Sequence, residues 1–258
     1  MEKLNIHPTA IVGENVTLGS NITVGPYSVI QNNVNIGSNS KIGNYVTVCN
    51  YTRIGENCSI FHNSSIGEIP QDLKFDQEKT QTIIGNGVTI REYVTVNRGT
   101  KALGKTVIGD NCLLMAYVHI GHDCILGDNI VLANMTTLGG HVSIDNNTSL
   151  GGGVLVHQFC KIGIHVFVGG GFRVVQDIPP FILAAKEPLK YQGINLVGLK
   201  RSGFDQKTRQ KIRNMYKIIY RSGLNTTEAT KTIKSDFQSS REKVQILEFI
   251  KNSKRGII

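Results

Sequence analysis

An aliphatic residue recurs at every sixth position through most of this chain, and no other feature constrains the fold so tightly. From Val12 the series runs Leu18, Val24, Ile30, Ile36, Ile42, Val48, Ile54, Ile60, Ile66. It resumes in register at Ile84, Ile90 and Val96, then runs from Ile108 to Val174. Of the 28 positions in this register between 12 and 174, only Asp72, Glu78 and Ala102 are not Val, Ile or Leu. Glycine often follows, as at Gly13, Gly37, Gly55 and Gly109, which we read as a device for unusual backbone angles at a corner. Four residues after the aliphatic one stands a small or β-branched side chain, such as Val16, Ser28, Thr52 or Val142.

This periodicity specifies a solenoid in which each hexad is a short strand plus a turn. Three hexads close a triangular coil of 18 residues with the aliphatic side chains inside. Successive coils then hydrogen-bond at about 4.8 Å. Residues 68–82 and 97–105 break the pattern and return to register, so both are loops extruded from intact coils. Long loops on a rigid scaffold often carry function.

The repeat stops near Val175, at Asp177-Ile178-Pro179-Pro180, because proline cannot donate to a ladder. From about Leu196 the period becomes helical. Asp205 is the expected N-cap of a helix over 206–220 with Ile212, Met215, Tyr216 and Ile219 on one stripe, ended by Gly223. Asn225 to Glu228 and Ser239 to Glu242 read as capping boxes of two more helices, the second burying Val244, Leu247 and Ile250. The expected organisation is a mainly β solenoid over 1–178, then a linker and a basic α-helical domain over 179–258.

Five cysteines, an odd number with no CxxC pair, argue against a disulfide framework or zinc ribbon. Cys58, Cys112, Cys124 and Cys160 occupy the small slot of the repeat and read as core fillers. No apolar run approaches the roughly 18 residues of a membrane span. The N-terminus lacks the apolar stretch of a secretion signal, so a cytoplasmic location is expected. Residues 1–199 hold 13 Lys and Arg against 14 Asp and Glu, whereas 200–258 hold 15 against 5. The basic tail is either a solvated helical face or a surface for an acidic partner: nucleic acid, anionic lipid or an acidic protein.

Chemistry concentrates around histidine. His122, His141 and His157 are separated by 19 and 16 residues, close to one coil each, and should stack along one side of the prism, with His119 nearby. Histidine suits a general base because its ordinary pKa, about 6.5, lies near working pH. Asp123 adjoins His122 and can orient the imidazole. Gly140 lies one coil further on, where an exposed backbone N–H can stabilise an oxyanion. No serine or cysteine is partnered for nucleophilic attack, which favours direct transfer.

The runs His119-Ile120-Gly121-His122-Asp123-Cys124, Leu138-Gly139-Gly140-His141-Val142 and Val156-His157-Gln158-Phe159-Cys160 resemble the UDP-N-acetylglucosamine O-acyltransferases. So do His7-Pro8-Thr9-Ala10, the segment from Ile66 to Lys74, Arg98-Gly99-Thr100, and Gly198-Leu199-Lys200-Arg201. The likeness spans essentially the whole chain. It implies a left-handed parallel β-helix, although crossover statistics alone favour the right hand. It further implies a homotrimer that transfers an (R)-3-hydroxyacyl group from acyl carrier protein to the glucosamine 3-hydroxyl of UDP-N-acetylglucosamine, the first step of lipid A biosynthesis. No separate cofactor is implied, since the donor rides on the phosphopantetheine of acyl carrier protein. The tail's acidic partner is then that carrier, and not nucleic acid.

By the same resemblance His122 is the base, Asp123 its orienting group and Gly140 the oxyanion donor. His119, His141, His157 and Gln158 line the groove. Gln71, Asp72 and Lys74 come from the first loop, and Asn195 and Arg201 from the tail, to hold nucleotide and carrier. Gly170 limits acyl length. The chain departs from the family pattern at Asn97, where histidine is usual, at Val197, where glutamate is usual, and at Ser202, where a second arginine is usual. These departures fall among nucleotide and carrier contacts, with Asn97 still counted as substrate-binding. Three other readings compete: a hexapeptide acyltransferase using CoA or another acceptor, a zinc enzyme like the γ-class carbonic anhydrases, and a non-catalytic scaffold.

Overall fold

The computed structural model describes residues 4–258; residues 1–3, where the first expected domain begins, lie outside the described residues. The strands are short, mostly of two residues, and each pairs in parallel with one a coil away, as Asn5 does with Thr23 and His119 with Thr137. The chain visits three sheets in rotation. Face 1 begins with Asn5–Ile6 and has eleven strands, face 2 begins with Ile11–Val12 and has nine, and face 3 begins with Thr17–Leu18 and has eight. The coil is a left-handed parallel β-helix.

The second residue of most two-residue strands points inward: Val24, Ile42, Leu114, Ile120 and Leu138 are all at most 1% exposed. Each contributes about 1.5–3 kcal/mol relative to exposure. The small slot is buried as expected, and several of its polar atoms are satisfied by the neighbouring coil, although the hydroxyls of Thr52 and Thr82 find no partner. Ser28 Oγ donates to the Gly43 carbonyl at 2.7 Å, Thr148 Oγ1 to that of Gly163 at 2.8 Å, and Cys124 Sγ to that of Gly139 at 3.2 Å. Burial pushes the Cys124 thiol up to about 12 and that of Cys112 to about 11. These cysteines are therefore poor nucleophiles.

Apart from Gly67, with φ 84°, the glycines of the repeat serve a different purpose from the one expected. The left-handed backbone lies two residues later, at Asn15, Asn21, Tyr27 and their equivalents, with φ of 54°, 57° and 58°. Gly37 instead permits close stacking of coils, because a Cβ there would stand 2.6 Å from the Gly55 carbonyl carbon.

The interruptions at 69–80 and 98–104 are loops that each lead from a face 2 strand to a face 3 strand: Ser65–Glu68 and Gln81–Ile84 flank the first, Thr95–Asn97 and Lys105–Ile108 the second. The region read as a linker adds two strands to face 1. Ile182–Ala185 pairs in parallel with Phe167–Val168, and Lys190–Ile194 pairs antiparallel with it.

Four helices follow: α1 Leu196–Arg201, α2 Gln206–Arg221, α3 Thr226–Asp236 and α4 Arg241–Asn252. Helix α2 buries the expected Ile212, Met215, Tyr216 and Ile219, and Tyr216 donates its hydroxyl to the Pro180 carbonyl at 2.6 Å. The Asn225–Glu228 capping box is present. The second expected box is not. Ser240, not Ser239, caps α4 by accepting from Lys243 N. Ile246 is its buried residue, while Val244 is 44% exposed and Leu247 and Ile250 are partly buried. On the same helix the Lys243 ammonium donates to the carbonyls of Lys234 and Phe237 at the end of α3.

Candidate active site

The edge between faces 2 and 3 carries the densest polar constellation. His122 Nδ1 lies 2.8 Å from Asp123 Oδ2. Asp123 is 1% exposed and sits at the left-handed corner position with φ 58°. Its carboxylate also accepts from Thr100 N at 3.0 and 3.1 Å, Thr100 Oγ1 at 2.7 Å and Leu103 N at 3.3 Å. Its own N–H donates to Thr106 Oγ1 at 2.8 Å. This network assigns the hydrogen of His122 to Nδ1 and leaves Nε2 as an acceptor.

Gly140 occupies the position of His122 one coil on, as the pairing of Ile120 with Leu138 requires. Its N–H has no protein acceptor among the described residues. A Cβ on Gly140 would meet the His122 ring at 2.6 Å, so the bare glycine leaves room for the imidazole. The ring and the N–H therefore border one space.

His141 crosses His122 edge to face, centroids 5.0 Å apart, and stacks on Phe159 at 4.5 Å and 7°. The expected column of three histidines is thus two histidines and a phenylalanine. His157 falls at the coil position of Gly139 and contacts the Gln158 carbonyl, with both residues exposed. The 19-residue interval puts His141 in line with Asp123, and a further 18 leads to Phe159. His119 projects outward from face 2, with Nδ1 2.8 Å from Thr95 Oγ1. Burial pushes its pKa below the usual histidine range.

Gln71 and Lys74 are exposed on the first loop, where Asp72 Oδ1 accepts from Lys74 N at 3.0 Å. Asn97 is 3% exposed and spans the two loops, donating Nδ2 to the Ile69 carbonyl at 2.8 Å. Asn195 is the N-cap of α1; its Oδ1 accepts from Gly198 N at 3.1 Å and its Nδ2 donates to the His165 carbonyl at 3.0 Å. It stands with exposed Arg201 near the edge between faces 3 and 1, not at the His122 edge of the same chain. Gly170 is exposed at the edge between faces 1 and 2, three coils beyond His122, or about 14 Å along the axis.

Sequence reasoning missed the role of Thr100, Leu103 and Thr106 around Asp123, and Phe159 beneath His141. Thr100 had a signal, the Arg98-Gly99-Thr100 motif on an extruded loop.

His122, Asp123 and His141 place one ligand atom each within 4.8 Å of one another, the only such grouping among the described residues. They suit a metal poorly. Both Asp123 oxygens are already taken by N–H and O–H donors, and His122 Nδ1 is committed to Asp123. Two imidazole nitrogens remain, short of the three protein ligands of a catalytic zinc site. A concavity of about 510 Å³ between face 3 and α4, lined by Lys161, Arg241 and Glu248 among others, contains neither histidine. The constellation is open at the edge of a single chain.

Residues 177–258 match the family model described as UDP N-acetylglucosamine O-acyltransferase, domain 2. Residues 15–50 and 105–140 match that of the bacterial transferase hexapeptide repeat. The acyl-[acyl-carrier-protein]–UDP-N-acetylglucosamine O-acyltransferase of Chlorobaculum parvum is 50% identical over 253 residues, covering 98% of this chain and 96% of that protein. Among solved structures, the UDP-N-acetylglucosamine acyltransferase of Francisella novicida superposes with TM-score 0.95 at 38% identity, covering 98% and 93% of the two chains. LpxA of Acinetobacter baumannii does so with TM-score 0.94 at 39% identity, covering 98% and 99%. No described helix is long and apolar enough to cross a membrane.

Proposed function

Because this chain belongs to the UDP-N-acetylglucosamine O-acyltransferase family, we propose that it acylates the glucosamine 3-hydroxyl of UDP-N-acetylglucosamine by direct attack, with His122 as base. The donor is an (R)-3-hydroxyacyl group on the phosphopantetheine of acyl carrier protein, and the reaction opens lipid A biosynthesis in the cytoplasm. The observation that carries this reading is the His122–Asp123 pair facing the free N–H of Gly140.

The sugar hydroxyl gives its proton to His122 Nε2 as its oxygen attacks the thioester carbonyl. Asp123 holds the ring through Nδ1 and stabilises the imidazolium that forms. The tetrahedral oxyanion accepts from Gly140 N–H. Collapse expels the phosphopantetheine thiolate, which takes the proton back from His122. No nucleophilic side chain or further cofactor enters.

The other residues have supporting parts. His119, His141, His157 and Gln158 border the sugar and the acyl chain. Gln71, Asp72 and Lys74 approach the nucleotide from the first loop. Asn97 acts indirectly by fixing that loop. Asn195 shapes the tail, and Arg201 reaches nucleotide or carrier from a neighbouring chain, as its distance from His122 in one chain requires. A homotrimer with grooves between chains accommodates this. The edge between faces 1 and 2 supports it with an apolar ridge: Tyr27 stacks on Tyr45 at 5.2 Å, Tyr93 on Tyr117 at 4.9 Å, and Met135 is 63% exposed. Such a ridge suits a protein contact.

The test is mass spectrometry of the product formed from a mixed (R)-3-hydroxyacyl carrier-protein pool and UDP-N-acetylglucosamine. A singly acylated nucleotide sugar is expected. Product from acyl-CoA alone would overturn the assignment of the donor.

A further inference from the structure

The second extruded loop, 98–104, reaches back onto the catalytic edge. Four donor groups converge on Asp123, and three of them belong to this loop: Thr100 N, Thr100 Oγ1 and Leu103 N, beside His122 Nδ1. Thr100 Oγ1 and His122 Nδ1 share one oxygen, Oδ2, at 2.7 and 2.8 Å. Thr100 is 7% exposed, so water does not readily replace its hydroxyl. Asp123 is in the left-handed conformation at a corner, and apart from adjacent His122 every hydrogen-bond donor to its carboxylate lies on this loop. The loop does the holding.

We propose that Thr100 is a positioning residue for acyl transfer: by donating to Asp123 Oδ2 it fixes the carboxylate that orients His122 and limits how much negative charge that oxygen offers the imidazole. This rests on the reading of His122 as the base. The loop that carries Thr100 is itself anchored. Arg98 N donates to the Glu68 carbonyl at 2.9 Å, and the Arg98 guanidinium lies over Phe75 with 5.4 Å to the ring centroid. The clamp on Asp123 is thereby joined to the loop that bears Gln71, Asp72 and Lys74.

The charged and titratable groups around Asp123 are His122, His141 with Nε2 at 3.7 Å, Arg98 one coil before, and the buried thiol of Cys124. Thr100, Leu103 and Thr106 are neutral. With the Thr100 hydroxyl gone, Oδ2 concentrates its charge on the His122 N–H and makes the imidazole a stronger base. The acid limb of the kcat/KM profile then moves to higher pH.

The experiment compares Thr100→Val, Thr100→Ala and Thr100→Ser in the full chain. Removing the outer hydrogen-bond partner of a functional histidine costs about 10–100-fold in metal sites, and the same order is expected for the His122–Asp123 pair. Val and Ala are expected to lose about that much in kcat, with KM for both substrates within about twofold and the acid limb shifted upward, whereas Ser restores both. Val or Ala folded with unchanged kcat and an unmoved acid limb would overturn the proposal. So would failure of both variants to fold, since the contact would then be structural. His122→Ala is measured alongside. An inactive His122→Ala with a fully active Thr100→Val sinks only the role of Thr100, while full activity in both sinks the base assignment.

Discussion

The imidazole of His122 packs directly over Gly140 one coil away, so that a methyl group added to the glycine would stand 2.6 Å from Nε2. The ring cannot simply swing aside, because Nδ1 is tied to buried Asp123. Gly140→Ala therefore displaces the base from its productive position while removing no polar group. A misplacement of about 1 Å can cost about 100-fold in rate. We expect kcat to fall by about that factor in Gly140→Ala, with thermal stability little changed. His122→Ala should lose about 10²–10⁴-fold. Steady-state kinetics on well-folded variants decides the matter: a fully active Gly140→Ala would show that the two residues do not share one reacting space.

Buried His165 gives the fold a dependence on pH. Its ring is 8% exposed, lies against Phe181 and Phe204, and is held below the usual histidine pKa by burial and by Arg241. The unfolded chain then binds the proton more readily than the folded one. Stability is complete above the ordinary histidine pKa, about 6.5, and is lost as pH falls below it, by at most about 1.4 kcal/mol per pH unit for one group. Melting temperatures between pH 7.5 and 5.5 should fall more steeply for the native chain than for His165→Gln. Parallel slopes would show that His165 does not titrate in this way.

The tail supplies a salt effect. Residues 200–258 hold 15 basic against 5 acidic residues, with Lys207, Lys217 and Arg221 exposed along α2. Charges separated by more than about 8–10 Å are screened at physiological salt. The apparent KM for the acidic carrier should rise steeply with ionic strength, while that for the nucleotide sugar changes less. Equal salt sensitivity would remove the tail from carrier recognition.

Gly170 tests the path of the acyl chain. It is exposed, and a Cβ there comes 3.0 Å from the Gly152 carbonyl oxygen, so a larger side chain must point away from the coil. Between His122 and Gly170, face 2 presents Leu155, 47% exposed, in line with outward-facing His119. Overfilling a packed site costs about 1–3 kcal/mol. Gly170→Met should shorten the preferred acyl chain in a competition between donors. An unchanged product distribution would place the length limit elsewhere.

Much of the site was legible in the chain because the coil converts sequence distance into position. Residues 18 apart share an edge, which placed Gly140 one coil from His122 and brought His141 and His157 to the same side of the prism. The same arithmetic misled at one residue's precision. His141 and His157 lie one position to either side of that column, and at a corner a one-residue offset sends a side chain in another direction. Asn97 read as a substrate contact because it stands where the family has a contacting histidine, yet it is buried with its amide donating to the Ile69 carbonyl.

The sequence by itself determined the prism: a period of six allows one inward aliphatic residue per strand, and every coil repeats the same hydrophobic requirement. It also determined where the loops leave and return, since register is preserved across them. What the tertiary structure alone decided is how the loops fold back. No local pattern links Thr100 to Asp123 across 23 residues, or Asn195 to the His165 carbonyl across 30. These bonds arise because a buried carboxylate, amide or carbonyl must find a partner, and which partner is within reach is known only once the coils have stacked.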